Sequence, residues 1–231
     1  MSIDSSDARR RRWNTQHATL RRLLEKDQNL PQAVAAFLPH HAAVHTARLD
    51  RHSDWSFQDE VLDPLTPTQI RAVPLGQSHS AAWLIWHITR IEDATLNGLL
   101  VNTPEIFFSE GWANRLETDY VDTGNAMPAE DIVQLSKTVN LKALLAYRLA
   151  VGKRTRAIVR RLTLEALAGR PLPERLQRLA DAGVVRSEAA GLPAYWGGHP
   201  ATNLLLMPAT RHSFLHLNEI RRLRSKLRQT A

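Results

Sequence analysis

Most of the chain repeats its apolar residues every three or four positions, the period of a helix with one buried face. The clearest stripe runs over residues 141–167 and ends at a Gly-Arg-Pro stop. It consists of Leu144, Leu145, Leu149, Ile158, Val159 and Leu162. We find no run with the two-residue alternation of a half-buried strand, and no internal repeat. The pattern therefore predicts an all-α protein.

The same periodicity, with proline and glycine as breakers, predicts the individual helices. We expect Ser78 or Ser80 to cap the helix that begins near residue 80, and Pro39 and Pro208 to interrupt theirs. The predicted helices span residues 7–27, 31–50, 58–65, 80–101, 141–167, 173–182 and 200–228. A further helical turn is predicted near 66–70, a short helix opens at 128–131, and residues 183–200 form a loop. Four long helices favour a four-helix bundle in residues 31–231, preceded by a basic helical arm in residues 1–30.

Length and composition narrow the class of protein. A chain of 231 residues is long enough for a substantial core. It has no apolar run of the roughly 18–20 residues that span a bilayer, and no apolar signal segment follows Arg9–Arg12. We therefore expect a cytoplasmic protein with no membrane partner. The absence of cysteine excludes disulfides, thiolate ligands and a cysteine nucleophile, so nitrogen or oxygen must hold any metal.

The net charge of +7 is spread unevenly. Residues 141–162 carry seven Lys/Arg and no Asp/Glu, and residues 211–231 carry six against one, Glu219. Such asymmetry is found in nucleic-acid-binding proteins, but here no aromatic residues interleave with the basic ones and no DNA- or RNA-binding motif appears. We favour a solvated outer face on two helices and do not expect nucleic acid as a partner.

The candidate chemistry lies in the histidines. His212 and His216 are four residues apart in the last long helix, which places both imidazoles on one face, about one turn apart. His87 lies inside another apolar helix. If the two helices face each other, three imidazoles converge, and three protein ligands leave a metal coordination position open for water or substrate. A satisfied core histidine is the alternative for each of them. Ser213 follows the first histidine, so this is not the zinc-protease motif.

Two further groups are candidate helpers. Glu219 lies seven residues after His212 and would accept the second N–H of a ligand histidine, or else form a surface ion pair with Arg222. His41 and His45 form another pair four residues apart. Either could join the metal or act as a general base, unless the segment is half exposed. We therefore name His45 and Glu219 as candidate catalytic residues.

Three segments together resemble the DinB-like superfamily of damage-inducible, YfiT-like helical proteins. They are residues 83–93 (WLIWHITRIED), 195–198 (YWGG) and 207–219 (MPATRHSFLHLNE), and the likeness covers roughly residues 32–228. The resemblance implies a four-helix bundle with a divalent metal, zinc or nickel, held by His87, His212 and His216. Relatives include thiol-dependent S-transferases and maleylpyruvate isomerases. The basic arm lies outside the family pattern.

Two functions remain open at this point. The first is a metal-dependent enzyme, a thiol-dependent S-transferase or a hydrolase, acting on a small molecule such as a low-molecular-weight thiol, with a homodimer as the expected assembly. The second is a non-catalytic metal-binding or stress-response protein whose basic surface meets nucleic acid or an acidic partner. Neither the substrate nor the reaction follows from the sequence.

Overall fold

A computed structural model describes residues 5–26 and 28–229, and over these residues the secondary structure is helical, with no strand. The all-α prediction is confirmed. The α-helices are α1 (Ser6–Glu25), α2 (Leu30–Ala42), α3 (Phe57–Leu62), α4 (Pro67–Arg71), α5 (Ala81–Asp93), α6 (Ile106–Ser109), α7 (Trp112–Leu116), α8 (Ala129–Thr138), α9 (Leu141–Val159), α10 (Leu164–Ala168), α11 (Pro173–Asp181), α12 (Gly191–Gly198), α13 (Thr202–Leu206) and α14 (Ser213–Gln229). Ala47–Leu49 and Ser187–Ala189 are 3₁₀ turns.

Helix α5 is the centre of the molecule. Every residue of α5 is buried, and the helix packs against α9 on one side and α14 on another. Its start is fixed as expected, because the side chain of Ser80 accepts a hydrogen bond from the Trp83 amide at 2.9 Å. A helix buried all round normally carries apolar residues only, but α5 also buries His87, Arg90 and Glu92. These polar residues therefore need partners inside the fold.

Two helices continue as π-helical segments, one after α5 and one before α14. The chain of α5 continues as a π-helix over Ala94–Leu100, and α13 is joined to α14 by another over Met207–His212. Pro208, which has no amide hydrogen to donate, lies in the second segment, where a kink was predicted. The hydroxyl of Thr210 donates to the carbonyls of Leu205 and Leu206, both at 2.9 Å. The interruption therefore lies immediately before the helix that carries His216.

Helix α1 packs against α2 and α13. Trp13 is buried, its ring stacks on Phe214 with centroids 4.0 Å apart, and its Nε1 donates to the carbonyl of His40 at 3.1 Å. The stacking joins α1 to the segment between His212 and His216. A boundary between an arm of residues 1–30 and a domain of residues 31–231 stays a prediction, as does the four-helix bundle topology.

Three predicted boundaries were wrong. Helix α2 ends at Ala42 rather than near residue 50, and it continues through Pro39, which was expected to interrupt it. Helix α9 ends at Val159 rather than near residue 167, because Thr163 caps a new helix by accepting a hydrogen bond from the Ala166 amide at 3.2 Å. Residues 191–198, predicted as a loop because of their glycines, form α12. Its Trp196 is buried in the core, so tertiary packing overrides the weak helix propensity of glycine.

The interpretation of the basic residues in 141–162 as a solvated face was wrong for two of them. Arg148 is fully buried, and Arg156 is 7% exposed. Arg148 donates to the side chain of Gln58 and to the carbonyl of Val44, while Arg156 pairs with Asp50 at 2.8 Å. Part of the positive charge of α9 therefore forms hydrogen bonds and ion pairs within the fold and is not on the surface. Within the described ranges, no helix is long and apolar enough to cross a bilayer.

Candidate metal centre

His87, His212 and His216 lie side by side, and we call them the histidine triad. One ring nitrogen of each lies within 4.8 Å of a ring nitrogen of both others. The Nε2 atoms of His87 and His212 are 3.1 Å apart, and the ring of His216 is centred 5.0 Å from that of His87. His87 is buried, whereas the other two are partly exposed. The triad thus lies at the edge of the core, open on the α14 side.

The loop before α8 fixes the ring of His87. Its Nδ1 lies 2.6 Å from the carbonyl of Thr123, and since a carbonyl only accepts, Nδ1 carries the proton and Nε2 keeps a lone pair. The next residue, Gly124, has φ +85°, and a Cβ at that position would lie 3.0 Å from the ring of Trp83. Trp83 in turn stacks on His87 at 4.9 Å. Glycine therefore permits the loop to approach closely enough to orient the ligand ring.

Burial keeps two members of the triad neutral. Burial, and then the neighbouring His216, lower the pKa of His87 from 6.5 to about 3. Burial, and then His87, hold the pKa of His212 well below its usual value. Neutral imidazoles have the lone pairs that a metal requires. His87 and His212 are therefore in the ligating protonation state near neutral pH.

Glu219 joins the triad to a fourth histidine. Its Oε2 lies 3.0 Å from Nδ1 of His216, and its Oε1 lies 2.9 Å from Nδ1 of His79. Burial alone would raise the pKa of Glu219, but hydrogen bonds from His216 and His79 outweigh it and hold the value at about 2. The carboxylate is thus ionised and accepts both N–H groups. Glu219 therefore orients His216 and does not form the alternative ion pair with Arg222 among the contacts described.

This donor set fits a divalent metal. Two ring nitrogens bound to one ion at about 2.1 Å and lying 3.1 Å apart subtend about 95°, a normal angle between neighbouring ligands. The lone pairs of His87 and His216 converge without a proton between them, a repulsive arrangement that a cation relieves. The second nitrogens of His87 and His216 are bonded to acceptors, as in most metal-bound histidines. The buried Nδ1 of His212 has no protein partner.

A second group with similar donors lies deeper in the core, and we call it the His–Glu cluster (His41, His45 and Glu92). All three residues are buried. Nε2 of His41 lies 2.8 Å from Oε1 of Glu92, and Nε2 of His45 lies 3.1 Å from Oε2. Thr155 also donates its hydroxyl to Oε1, at 2.7 Å. The prediction that the His41 segment is half exposed was wrong, since both imidazoles are in the core.

The charges around the His–Glu cluster differ from those around the triad. The guanidinium of Arg148 approaches Oε2 of Glu92 to 3.9 Å. Burial lowers the pKa of His45 to about 3. Burial would raise the pKa of Glu92, but His45 and His41 outweigh it, so that the value lies well below its usual range. The Nδ1 atoms of both histidines are buried without a partner. The donor atoms of the cluster could therefore hold a metal cation, but the guanidinium of Arg148 already places a positive charge beside Glu92.

A comparison with known protein families now adds to this geometry. Residues 52–220 match the model of the DinB superfamily. The chain belongs to the DinB superfamily. A comparison with curated proteins finds no match. The DinB match includes all three residues of the triad, whereas His41 and His45 precede it. The superfamily resemblance seen in the sequence is therefore confirmed.

Sequence reasoning named the triad and Glu219 and placed them on the right helices. It left open whether His41 or His45 joins the triad, and the structure places both around Glu92 instead. It did not single out His79 or Glu92. His79 did stand in the sequence next to a helix cap, Ser80, which was the only local signal available. The roles of His45 and Glu219 in catalysis stay predictions.

Proposed function

We propose that this DinB-superfamily protein is a divalent-metal-dependent enzyme in which His87, His212 and His216 hold the metal. Its substrate is a small molecule, and its reaction is the transfer of a low-molecular-weight thiol or a hydrolysis. Zinc or nickel is the proposed ion, because neutral imidazole suits both. The proposal extends the superfamily assignment to an activity.

The observation that supports it most directly is the way the triad is held. Nε2 of His87 and Nε2 of His212 meet at 3.1 Å, and His87 and His216 are each anchored through their other nitrogen, to Thr123 and Glu219. Anchoring the far nitrogen fixes both tautomer and ring orientation. Three protein ligands with no fourth leave room for a substrate atom, which is the arrangement of catalytic rather than structural sites.

The residues around the triad suggest how a reaction would proceed. When bound, the metal lowers the pKa of a coordinated thiol or water and so supplies a nucleophile near neutral pH. Because the chain has no cysteine, a thiol nucleophile has to come from a substrate. His216 and Glu219 are partly exposed, and we propose that a small molecule approaches the triad beside these two side chains. The buried face of His87 excludes water from the opposite side.

The remaining partner assignments belong to the same proposal. The buried ion pairs of Arg148 and Arg156 reduce the charge available to nucleic acid, and we propose no nucleic-acid partner. A cytoplasmic location and a homodimer are part of the proposal and await direct measurement.

The first prediction is that His212→Ala abolishes stoichiometric metal binding. The variant removes one of three nitrogens from a site whose other ligands stay in place, so affinity should fall by orders of magnitude while the helical circular dichroism spectrum is retained. Metal content is measured by elemental analysis after equal exposure to zinc or nickel and dialysis.

The matched control is His52→Ala, which removes an exposed histidine outside the triad. We expect it to bind metal as the parent does. Equal metal content in His212→Ala and the parent would rule out the triad as the site. A parent that binds no metal under either condition would end the proposal of a metalloenzyme altogether. A positive result is followed by a screen of thiol transfer to small electrophiles.

A further inference from the structure

A histidine outside the triad is connected to it through Trp83 and Glu219. His79 directly precedes Ser80, the cap of α5, and its side chain is 28% exposed. Its ring stacks on Trp83 with centroids 4.1 Å apart and planes 7° from parallel, and Trp83 stacks in the same way on His87. Trp83 thus separates His79 from the buried ligand by one aromatic ring.

The carboxylate of Glu219 connects His79 to the triad a second time. One oxygen accepts from Nδ1 of His216 and the other from Nδ1 of His79, at 3.0 and 2.9 Å. Because a carboxylate only accepts, each of the two rings turns an Nδ1–H toward it. In both rings the lone pair is then at Nε2. One carboxylate thus imposes the same tautomer on a ligand of the triad and on a histidine beside it.

The Nε2 atoms of His216 and His79 have different surroundings. Nε2 of His216 belongs to the triad, whereas Nε2 of His79 has no partner among the residues that the structure describes, and its side chain reaches solvent. An imidazole whose Nδ1–H is held by a carboxylate and whose Nε2 is free is the arrangement of a general base. Ser80 already caps the N-terminus of α5, so His79 is not needed as a capping residue. A capping role would also not require the proton of His79 to be on Nδ1.

We propose that His79 is the proton acceptor for the nucleophile activated at the triad, oriented by Glu219. The inference rests on the proposed function. Nε2 of His79 takes the proton from the S–H or O–H of the nucleophile, directly or through one water, while the freed electron pair stays on sulfur or oxygen. That pair forms the bond to the electrophilic substrate atom, the bond to the leaving group breaks, and the leaving group takes the proton back from His79.

The first test needs no substrate. In the zinc-loaded protein with ¹⁵N-labelled histidine, nitrogen NMR should show His79 with its proton on Nδ1 and none on Nε2, assigned by loss of its signals in His79→Gln. In Glu219→Gln, the ring of His79 should no longer be confined to that tautomer. A His79 ring protonated only at Nε2 in the parent would overturn the proposal, whatever the metal does.

The second test follows the proton itself. A thiol near pH 7 holds its proton, so its binding as thiolate to the zinc-loaded protein frees about one proton. Calorimetry with 2-mercaptoethanol in buffers of different ionisation enthalpy counts the protons that reach the buffer. We expect the parent to release fewer protons to the buffer than His79→Gln, while His199→Gln, which removes an exposed histidine elsewhere, behaves as the parent.

The outcomes separate the two proposals. His79→Gln should keep its zinc, because His79 is not a ligand, and a loss of zinc would overturn the assignment. Equal proton release by parent and His79→Gln would overturn it as well. If the parent binds zinc but no 2-mercaptoethanol, the thiol part of the proposed function falls, and the NMR tautomer decides on His79 alone. If the parent binds no zinc, the proposed function fails independently of that tautomer.

Discussion

The histidine triad and the His–Glu cluster are built from similar donors, and both draw a residue from α5. His87 and Glu92 are five residues apart on that helix, one in each group. In the triad, the far nitrogens of His87 and His216 donate to a carbonyl and a carboxylate, and the near nitrogens face one another. In the cluster the near nitrogens face the carboxylate itself, and the far nitrogens have no partner.

The difference is where the negative charge lies. In the triad the carboxylate of Glu219 is behind the ring of His216, so it would strengthen the lone pair that His216 offers to a metal. In the cluster the carboxylate of Glu92 is in front of both rings and accepts a hydrogen bond from each, with Arg148 as its counter-ion. The same residue types therefore place the carboxylate behind one ring in the triad and between two rings in the cluster. Ligand type alone does not identify a metal site.

The largest effect we expect separates the two groups by stability. Glu92→Gln keeps the shape of the side chain but leaves Arg148 as an uncompensated buried charge, which should cost about 3–5 kcal/mol. Unfolding by urea in the presence of EDTA measures it. His212→Ala, in the partly exposed triad, should lose much less under the same conditions. A Glu92→Gln variant as stable as the parent would show that Arg148 does not depend on this carboxylate.

How much of this was accessible from the sequence depends on the range of each contact. The pair His212 and His216 is a local pattern on one helix. His87 was added as a third candidate from its place in another apolar helix, and the superfamily resemblance implied the same three residues. The pairing of His41 with Glu92 spans 51 residues, and that of His79 with Glu219 spans 140. Periodicity reports which face of a helix is buried but not which other face it meets, so these partners could not be predicted.

The next effect tests the carboxylate on the triad side. Glu219→Gln can no longer accept two N–H groups as an anion, and loss of such an orienting partner typically lowers metal affinity 10- to 100-fold. Competition with a chelator of known zinc affinity measures the change. Thr155→Val is the matched control, since it removes a hydrogen bond to the other carboxylate, that of Glu92. Equal zinc affinity in Glu219→Gln and the parent would place the orienting role elsewhere.

The third effect concerns pH and distinguishes the groups by their response to zinc. Burial lowers the pKa of His45 and His87 to about 3, so below about pH 6.5 the unfolded chain binds protons that the folded chain refuses. In EDTA, stability should therefore fall as the pH decreases from 6.5 toward 3. His45→Gln and His87→Gln should each reduce that slope by about 1.4 kcal/mol per pH unit near pH 5.

Zinc makes this pH measurement specific. At saturating zinc, the parent and His45→Gln should both be more stable than in EDTA, because zinc binds the folded chain and not the unfolded one. His87→Gln should show no change on adding zinc. If His45→Gln also lost its response to zinc, the His–Glu cluster would be part of the metal site, and the contrast between the two groups would fail.

The smallest effect uses two glycines that lie against the two groups. A Cβ at Gly152 in α9 would lie 2.8 Å from Nδ1 of His45, and one at Gly124 would lie 3.0 Å from the ring of Trp83. Gly152→Ala gains helix propensity but displaces a buried ring, for a net loss of about 1 kcal/mol, with unchanged zinc affinity. Gly124→Ala adds strain at a φ of +85° and should weaken zinc binding as well, because Trp83 stacks on His87.

Gly191→Ala, where a Cβ meets open space, is the control for both. Weaker zinc binding in Gly152→Ala would mean that packing against His45 is transmitted to the triad, and the two groups would then have to be treated as one site.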